Sequence, residues 1–253
     1  MAEVKKRIAI VTGATSGIGE ATVRKFVEYG INVVGIGRTA EKLEALEKEL
    51  GDGFCGMAGD AADETVLDSL FAAAVERFGS EADLVVANAG RGLGGTVRES
   101  DLSQFEDMLQ INVIGTLHLI QKAAQRMVNM QEKAFPEKAA DIVIIGSVVG
   151  RHISPFSAVY SASKFAVHTL AESLRRDVGP KGVRVSLVQP GIVISGFQDG
   201  AGYSDGLVDS FHERFDPMPS CDDIADAIHH VVSLPPHVNI SDIVIRATRQ
   251  DYP

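Results

Sequence analysis

Short apolar runs alternate with longer helical patterns along almost the whole chain. Strands are expected at 7–12, 31–37, 54–58, 83–87, 141–146, 183–188 and 241–246. Helices are expected between them, at 17–29, 40–50, 63–78, 101–131, 157–179 and 221–233. This alternation is typical of an α/β protein with a doubly wound parallel sheet and helices on both faces. Since the chain has 253 residues and 45% hydrophobic content, it can bury one sizeable core, and a single domain over 1–253 is expected.

The first apolar run leads directly into a glycine-rich turn. Gly13, Gly17 and Gly19 have the spacing Gly-x-x-x-Gly-x-Gly, and a helix is expected to begin near Ile18. Glycines allow a tight turn and a close approach of a pyrophosphate, while the helix N-terminus offers unpaired N–H groups. A glycine-rich turn alone is a weak signal, but here a strand precedes it and a helix follows it. The segment therefore predicts a dinucleotide site.

A tyrosine and a lysine, Tyr160 and Lys164, stand four residues apart on a predicted helix. Positions i and i+4 share one face, so the phenol and the ammonium can reach the same small volume. Free phenol has a pKa of about 10 and is a poor proton carrier at neutral pH unless a nearby positive charge favours the phenolate. Such a pair is often only an aromatic stem packed under a solvated amine. Together with the glycine turn, and with Ser147 thirteen residues before Tyr160, the pair indicates hydride transfer.

These motifs resemble those of the short-chain dehydrogenase/reductase family in its single-domain form. The match covers nearly the whole chain and follows the family's order: the turn at 12–19, then Asn88-Ala89-Gly90, Asn112, Ser147, Tyr160, Lys164 and finally Pro190-Gly191. The resemblance implies a Rossmann-like fold. It also implies an NAD(P)-dependent enzyme that acts on CH–OH groups.

The resemblance implies four catalytic residues, namely Asn112, Ser147, Tyr160 and Lys164. Tyr160 would be the general acid, and Ser147 would hydrogen-bond and position the substrate carbonyl. Lys164 would lower the pKa of Tyr160 and hold the nicotinamide ribose. Asn112 would anchor, through its backbone and a water, the relay that returns protons from solvent, although it could equally be a structural residue that bends its helix.

A larger set of cofactor contacts is also implied by the resemblance. It comprises Gly13, Thr15, Ser16, Gly17, Ile18, Gly19, Arg38, Thr39, Asp60, Asn88, Ala89, Gly90, Tyr160, Lys164, Pro190, Gly191, Val193 and Ser195. In this architecture an acid after the second strand favours NAD, whereas an arginine there accommodates a 2′-phosphate. Arg38 and Thr39 occupy that position, so NADP(H) is favoured over NAD(H). Arg38 could instead cap a surface loop, and Thr15-Ser16 lack the second basic residue that NADP-preferring members often carry.

The substrate site is expected around the stretch 192–220, which is rich in Gly, Ser, Asp and Pro and follows the carboxyl end of a strand. Substrate contacts are expected from Ser147 and Tyr160. Arg151 and His152 are candidate contacts for an anionic group, and each could equally be a solvated loop residue.

The segment 233–243 resembles the ending of the family branch that acts on small 3-hydroxy acids such as serine and 3-hydroxypropionate. That branch is also similar to sulfoacetaldehyde reductases. A small hydroxy acid, or its aldehyde or ketone partner, is therefore the expected substrate. A sugar or a bulkier ketone is the alternative within the family.

Other classes of protein share parts of the pattern. Sugar-nucleotide epimerases share Tyr-x-x-x-Lys but resemble chains with a Gly-x-x-Gly-x-x-Gly turn and a longer C-terminal part. A non-catalytic NADP-sensing protein would keep the glycine turn and lose the tyrosine, which is present here. A serine hydrolase would need Gly-x-Ser-x-Gly, whereas Ser147 directly follows Gly146.

Composition limits the partners. The net charge of −10 makes nucleic acid an unlikely partner. Cys55 and Cys221 form no metal-binding or redox motif, which fits a reducing cytoplasm, and no metal site is expected. An apolar stretch long enough to span a membrane is missing from the sequence. The family resemblance implies a homotetramer or homodimer formed through the helices at 101–131 and 157–179.

Overall fold

A computed structural model of the protein describes residues 6–154 and 156–251. Within these ranges seven parallel strands form one sheet. The strands are β1 (Ile8–Thr12), β2 (Asn32–Gly37), β3 (Phe54–Ala58), β4 (Leu84–Ala87), β5 (Ala140–Ile145), β6 (Val183–Pro190) and β7 (Asp242–Ile245). Their order in the sheet is β3-β2-β1-β4-β5-β6-β7. The predicted doubly wound parallel sheet is confirmed.

The α-helices of the described residues connect these strands. They are α1 (Gly17–Glu28), α2 (Ala40–Leu50), α3 (Glu64–Phe78), α4 (Phe105–Leu109), α5 (Thr116–Gln131), α6 (Ala158–Val178), α7 (Phe197–Gly200), α8 (Asp205–Phe215) and α9 (Cys221–Ser233). The strand order reverses between β1 and β4, and parallel α/β sheets bind ligands at such a point, outside the carboxyl ends of the strands.

The sheet is covered on both faces, which explains why its central strands are almost continuously apolar. All five residues of β1 and all six of β5 are buried. One face packs against the apolar sides of α3, α5 and α6, with Phe71 and Met127 among the buried residues. The other face packs against α1, α2 and α9 through residues such as Phe26 and Ile228.

The stretch 101–131, expected as one helix, is divided into several pieces. A 3₁₀ turn at Leu102–Gln104 leads into α4, a π-helix occupies Gln110–Gly115, and α5 follows. The end of the π-helix lies close to the loop after β3, since a Cβ on Gly115 would lie 2.8 Å from the carbonyl oxygen of Ala61. Wide turns of this kind are rare and often lie at functional sites, and no periodicity in the sequence predicts them.

The stretch 192–220 is more regular than its composition suggests. It contains α7 and α8, and the hydroxyl of Ser204 caps α8 by accepting a hydrogen bond from the N–H of Leu207. Phe215 at the end of α8 is buried. Gly, Ser and Asp in this stretch were interpreted as loop residues, whereas Ser204 and the apolar side chains of α8 specify a helix.

Candidate active site

The predicted functional residues gather along one edge of the sheet, where the parallel strands end. The glycine turn follows β1, Arg38 follows β2, and Asp60 lies just after β3. Asn88 directly follows β4, Ser147 follows β5, and Gly191 follows β6. Segments that are far apart in the sequence thus contribute to one crevice, as the parallel arrangement requires.

The glycine turn forms a cradle at the N-terminus of α1. Gly17 has a φ of 56°, a conformation that favours glycine. A Cβ on Gly19 would lie 2.1 Å from the carbonyl oxygen of Gly13, so no side chain fits there. Ser16 precedes α1 in an extended conformation, and its side chain does not cap the helix. The open helix N-terminus and the close-packed glycines therefore fit the diphosphate of a dinucleotide.

The turn is held in place by Thr12 and Asn88. The Thr12 hydroxyl accepts hydrogen bonds from the N–H groups of Asn88 and Ala89, each at 3.0 Å. The Asn88 amide donates to the carbonyl oxygen of Thr12 at 2.8 Å. The sequence motif pointed to Asn88 and Ala89 but not to this role of Thr12. The feature of the sequence that could have indicated this role is the hydroxyl of Thr12, at the end of a strand whose other residues are aliphatic.

Arg38 presents an exposed guanidinium beside this cradle. Within residues 6–154 and 156–251 its side chain makes no hydrogen bond or ion pair, so it does not cap a loop. Thr15 lies against Gly37, the residue before Arg38, because a Cβ on Gly37 would come within 2.5 Å of the Thr15 methyl group. Thr39 precedes α2 without capping it through its side chain. One carboxylate oxygen of Asp60 accepts the N–H of Ala62 at 2.9 Å, which shapes the turn after β3.

Ser147, Tyr160 and Lys164 are brought together and are all buried. Ser147 is held by the loop after β5, while Tyr160 and Lys164 lie one turn apart on α6. The Ser147 side chain lies near enough to the Tyr160 phenol to affect its pKa. The Lys164 ammonium lies 5.8 Å from the centre of the Tyr160 ring and donates to the carbonyl oxygen of Ile145 at 2.8 Å.

Burial controls the protonation of this group. It raises the pKa of Tyr160 above its ordinary value of 10.0; Tyr203 adds to the rise, and the hydrogen bond from Ser147 opposes it. Burial also lowers the pKa of Lys164 to about 8. Burial thus dominates the pKa of Tyr160, and the lowering of that pKa by Lys164 stays a prediction. A phenol with a raised pKa keeps its proton at neutral pH and can donate it.

Asn112 lies in the π-helix, and both the oxygen and the nitrogen of its side-chain amide make hydrogen bonds. Its oxygen accepts the N–H of Arg91 at 2.8 Å, and its nitrogen donates to the Arg91 carbonyl at 2.9 Å and to the Ser163 hydroxyl at 3.1 Å. Ser163 in turn donates to the carbonyl oxygen of Tyr160 at 2.7 Å. Asn112 thus joins the loop after β4 to the first turn of α6. The proton relay through its backbone stays a prediction.

Two glutamines hold the loop after β6, and neither was predicted. The Gln250 carbonyl oxygen accepts the N–H of Ile192 at 3.1 Å. Gln198 bridges the next turn, donating to the carbonyl of Val193 at 2.9 Å and accepting the N–H of Ser195 at 3.0 Å. Val193 and Ser195, predicted to touch the cofactor, are therefore held by the Gln198 side chain, three to five residues further along the chain.

The wall around Tyr160 is apolar. Leu93 and Met108 are buried against it. Phe105, Val149, Val159 and Phe197 pack on this cluster and are partly buried. The rings of Phe197 and Tyr160 are 5.5 Å apart, so the loop after β6 lies over the phenol.

Arg151 and His152 directly follow the 3₁₀ turn Val148–Gly150. Both are exposed. Arg151 lines a separate cavity of about 380 Å³ between α6 and the last two strands, together with His168, Arg175 and Asp242. Among the described residues neither the Arg151 nor the His152 side chain makes a hydrogen bond or ion pair, and their contact with substrate stays a prediction.

Groups of three or more potential metal ligands do not occur among residues 6–154 and 156–251. In the same part of the chain, none of the helices combines the length and the apolar character needed to cross a membrane.

A nucleotide cradle at the switch point of a parallel sheet, with a buried Ser-Tyr-Lys group beside it, defines a dinucleotide-dependent oxidoreductase. The family model for short chain dehydrogenases matches residues 7–202. The chain therefore belongs to the short-chain dehydrogenase/reductase family. The predicted family, fold and enzyme class are confirmed.

Relatives extend over nearly the full chain. A serine 3-dehydrogenase of Agrobacterium fabrum is 33% identical over 246 residues, which are 96% of this chain and 94% of the relative. An uncharacterized oxidoreductase of Staphylococcus epidermidis is 30% identical over 246 residues, 97% of this chain and 99% of the relative.

Solved structures agree with the fold. A closed form of serine dehydrogenase complexed with NADP⁺ has a TM-score of 0.87 at 28% identity and covers 97% of this chain and 96% of its own. A 3-ketoacyl-(acyl-carrier-protein) reductase from Brucella melitensis complexed with NADH has a TM-score of 0.86 at 23% identity, covering 98% of this chain and 99% of its own. Both NADP⁺ and NADH thus occur among proteins of this fold.

Proposed function

We propose that the protein is an NADP(H)-dependent oxidoreductase that interconverts a small alcohol and its aldehyde or ketone, with Tyr160 as the proton donor and acceptor. The observation that carries this proposal is the burial of Ser147, Tyr160 and Lys164 together, with the Lys164 ammonium 5.8 Å from the centre of the Tyr160 ring. Tyr160 packs in an apolar surrounding from which water is largely excluded. Hydrogen bonds and charges act more strongly in such a surrounding than in water.

In the direction of reduction, the bound cofactor supplies the hydride that adds to the carbonyl carbon. Negative charge then develops on the carbonyl oxygen. Ser147 would hydrogen-bond that oxygen, and Tyr160 would transfer its phenolic proton to it. The charge of Lys164 would stabilise the resulting phenolate, and the same ammonium would hold the ribose. The reverse reaction requires Tyr160 to accept a proton from the alcohol.

The preference for NADP(H) rests on Arg38. Its guanidinium is exposed beside the glycine cradle and unpaired among the described residues, so it can bind a phosphate without breaking another contact. An acid that would repel a 2′-phosphate is missing directly after β2, where Arg38 and Thr39 stand. Arginine binds phosphate through parallel hydrogen bonds from its planar fork.

Replacement of Arg38 by Ser is expected to weaken NADPH selectively. A hydrogen bond to a charged group contributes about 1.5–3 kcal/mol, so the KM for NADPH should rise by about 10- to 100-fold while the KM for NADH changes little. Arg77→Ser is the matched control, because Arg77 pairs with Asp52 on the surface and not with the cradle. This role of Arg38 would be contradicted if the wild-type enzyme preferred NADH. It would also be contradicted if the KM rose equally for NADPH and NADH in Arg38→Ser.

Two substrate classes are supported by different observations. The likeness to serine 3-dehydrogenase favours a small hydroxy acid or its aldehyde or ketone partner. The apolar wall of Leu93, Met108 and Phe197 favours a second candidate, a ketone with a bulkier apolar substituent. Arg151 and His152 stay candidate contacts for an anionic substrate, since both side chains are exposed and make no hydrogen bond or ion pair among the described residues.

Steady-state assays distinguish these classes. Nicotinamide absorbance would be followed with NADPH and NADH against serine, 3-hydroxypropionate, malonic semialdehyde, succinic semialdehyde, sulfoacetaldehyde, a ketose and a bulky apolar ketone. Turnover of a small hydroxy acid or semialdehyde supports the first class, and turnover of only the bulky ketone supports the second. Tight cofactor binding without turnover of any compound would favour the alternative of a non-catalytic NADP-sensing protein.

A further inference from the structure

The loop that carries Ser147 is folded around a histidine of α6. His168 lies one turn after Lys164 and two turns after Tyr160, so the three side chains follow one another along one side of the helix. The backbone N–H of Ser147 donates a hydrogen bond to Nε2 of His168 at 3.3 Å. His168 thus contacts the backbone of the residue whose hydroxyl lies near the Tyr160 phenol.

The imidazole fills the space enclosed by this loop. A Cβ on Gly146 would lie 2.4 Å from Nε2 of His168, and a Cβ on Gly150 would lie 2.5 Å from it. Both distances are too short for any side chain, so the glycines on either side of Ser147 are matched to the ring. The loop is further closed by a backbone hydrogen bond from Gly150 to the Ser147 carbonyl at 3.0 Å.

The hydrogen bond requires one particular form of the imidazole. Because Nε2 accepts, it carries no proton, and the proton of the neutral ring must be on Nδ1. Burial, with the positive charges of Lys164 and Arg151 nearby, lowers the pKa of His168 to about 4. The ring is therefore neutral at physiological pH, and its acceptor nitrogen remains available to Ser147.

We propose that His168 is a positioning residue, which fixes Ser147 through its backbone N–H and so holds the Ser147 hydroxyl against Tyr160. This inference rests on the proposed function, in which Ser147 and Tyr160 act on the substrate oxygen. Ser147 stands at the N-cap of the short 3₁₀ turn Val148–Gly150, and its hydroxyl oxygen also accepts the N–H of Val149 at 3.4 Å. The imidazole thus bonds the backbone N–H of the residue at which that turn begins.

Two substitutions at His168 distinguish the effect of its hydrogen bond from the effect of its size. His168→Gln retains an acceptor at about the distance of Nε2, whereas His168→Leu keeps an apolar side chain of similar size without an acceptor. A misplacement of about 1 Å can lower turnover by up to about 100-fold. We expect His168→Leu to lower kcat at least about tenfold and His168→Gln to stay within about threefold of wild type. The KM for NADPH should change less than about twofold in both.

A double-mutant cycle with Ser147→Ala shows whether His168 acts through Ser147. In the Ser147→Ala background the hydroxyl to be positioned is gone, so His168→Leu should lower kcat by less than about twofold further. A merely structural role predicts that the two losses multiply. Multiplying losses, or equal losses in His168→Leu and His168→Gln, would overturn the proposal.

A measurement without turnover completes the test. Nitrogen NMR of histidine-labelled protein, with His168→Gln to assign the signal, should show His168 neutral at pH 6.5, protonated on Nδ1 and bare on Nε2. A proton on Nε2 would overturn the inference even if His168→Leu fails to fold. If Ser147→Ala leaves turnover unchanged while the tautomer is as expected, the proposed catalytic role of Ser147 fails, whereas the contact made by His168 stands.

Discussion

Tyr160→Phe is expected to lower kcat by about 1,000-fold or more in either direction of the reaction. The substitution removes only the phenolic oxygen, which lies near the Ser147 side chain and would carry the transferred proton. Positioned general acids contribute about 10²- to 10⁴-fold. The ring that packs against Phe197, Leu93 and Met108 is retained, so the fold should not change. Single-turnover absorbance of NADPH measures the chemical step, and fluorescence of bound NADPH measures cofactor affinity, which should stay within about twofold.

Tyr29→Phe provides the matched control for this substitution. The variant removes the same oxygen, but Tyr29 lies exposed at the end of α1, with its ring tilted against that of His229 and the ring centres 4.0 Å apart. Its variant should retain wild-type kcat. If Tyr160→Phe kept more than about a tenth of wild-type turnover, Tyr160 would not be the proton donor, and water or another side chain would have to reach the substrate oxygen.

The candidate site was largely predictable where local rules determine the geometry. Tyr160 and Lys164 share a face because they are four residues apart on a helix. Ser147 reaches them because parallel strands end at the same edge of the sheet, and the glycine turn forms a cradle because only glycine fits at Gly17 and Gly19. These inferences need only the helical period and the strand order.

Contacts between distant segments could not be predicted. Gln250 holds Ile192 across 58 residues, and His168 holds Ser147 across 21. Glutamine and histidine are ordinary residues for a surface or a helix, so nothing in their neighbourhood signals a partner elsewhere. The π-helix around Asn112 was missed for a similar reason, since an apolar pattern over 101–131 fits a continuous helix as well.

The protonation of the site depends on burial, which the sequence does not display. From the sequence, the charge of Lys164 was expected to decide the pKa of Tyr160. In the structure both side chains are buried, and loss of solvent raises the pKa of the phenol and lowers that of the ammonium. A phenol that keeps its proton suits reduction of a carbonyl, in which Tyr160 is the donor.

The opposite edge of the sheet carries a buried ionic network that no functional motif pointed to. Asp141 in β5 pairs with Arg184, its partner in the register of β6, at 2.7 and 2.9 Å, and with Arg7 at 2.7 Å. Arg184 also donates to the carbonyl oxygens of Val232, Leu234, Pro235 and Val238. The side chains of Asp141 and Arg184 are only 3% and 5% exposed. One carboxylate therefore joins the starts of three strands to the segment after α9.

Asp141→Ala is expected to lower the free energy of unfolding by about 3–5 kcal/mol, because it leaves the buried Arg184 without its counter-charge. The network lies at the amino ends of the strands, whereas the candidate site lies at their carboxyl ends, so kcat of the folded protein should change less than about twofold. Urea unfolding at equal protomer concentration measures the loss. Asp177→Ala is the matched control, since the Asp177–Lys181 pair is half exposed on α6 and its removal should cost at most about 0.5 kcal/mol. Equal stability of Asp141→Ala and Asp177→Ala would show that Arg184 is satisfied by its carbonyl partners alone and that the carboxylate contributes no net stability.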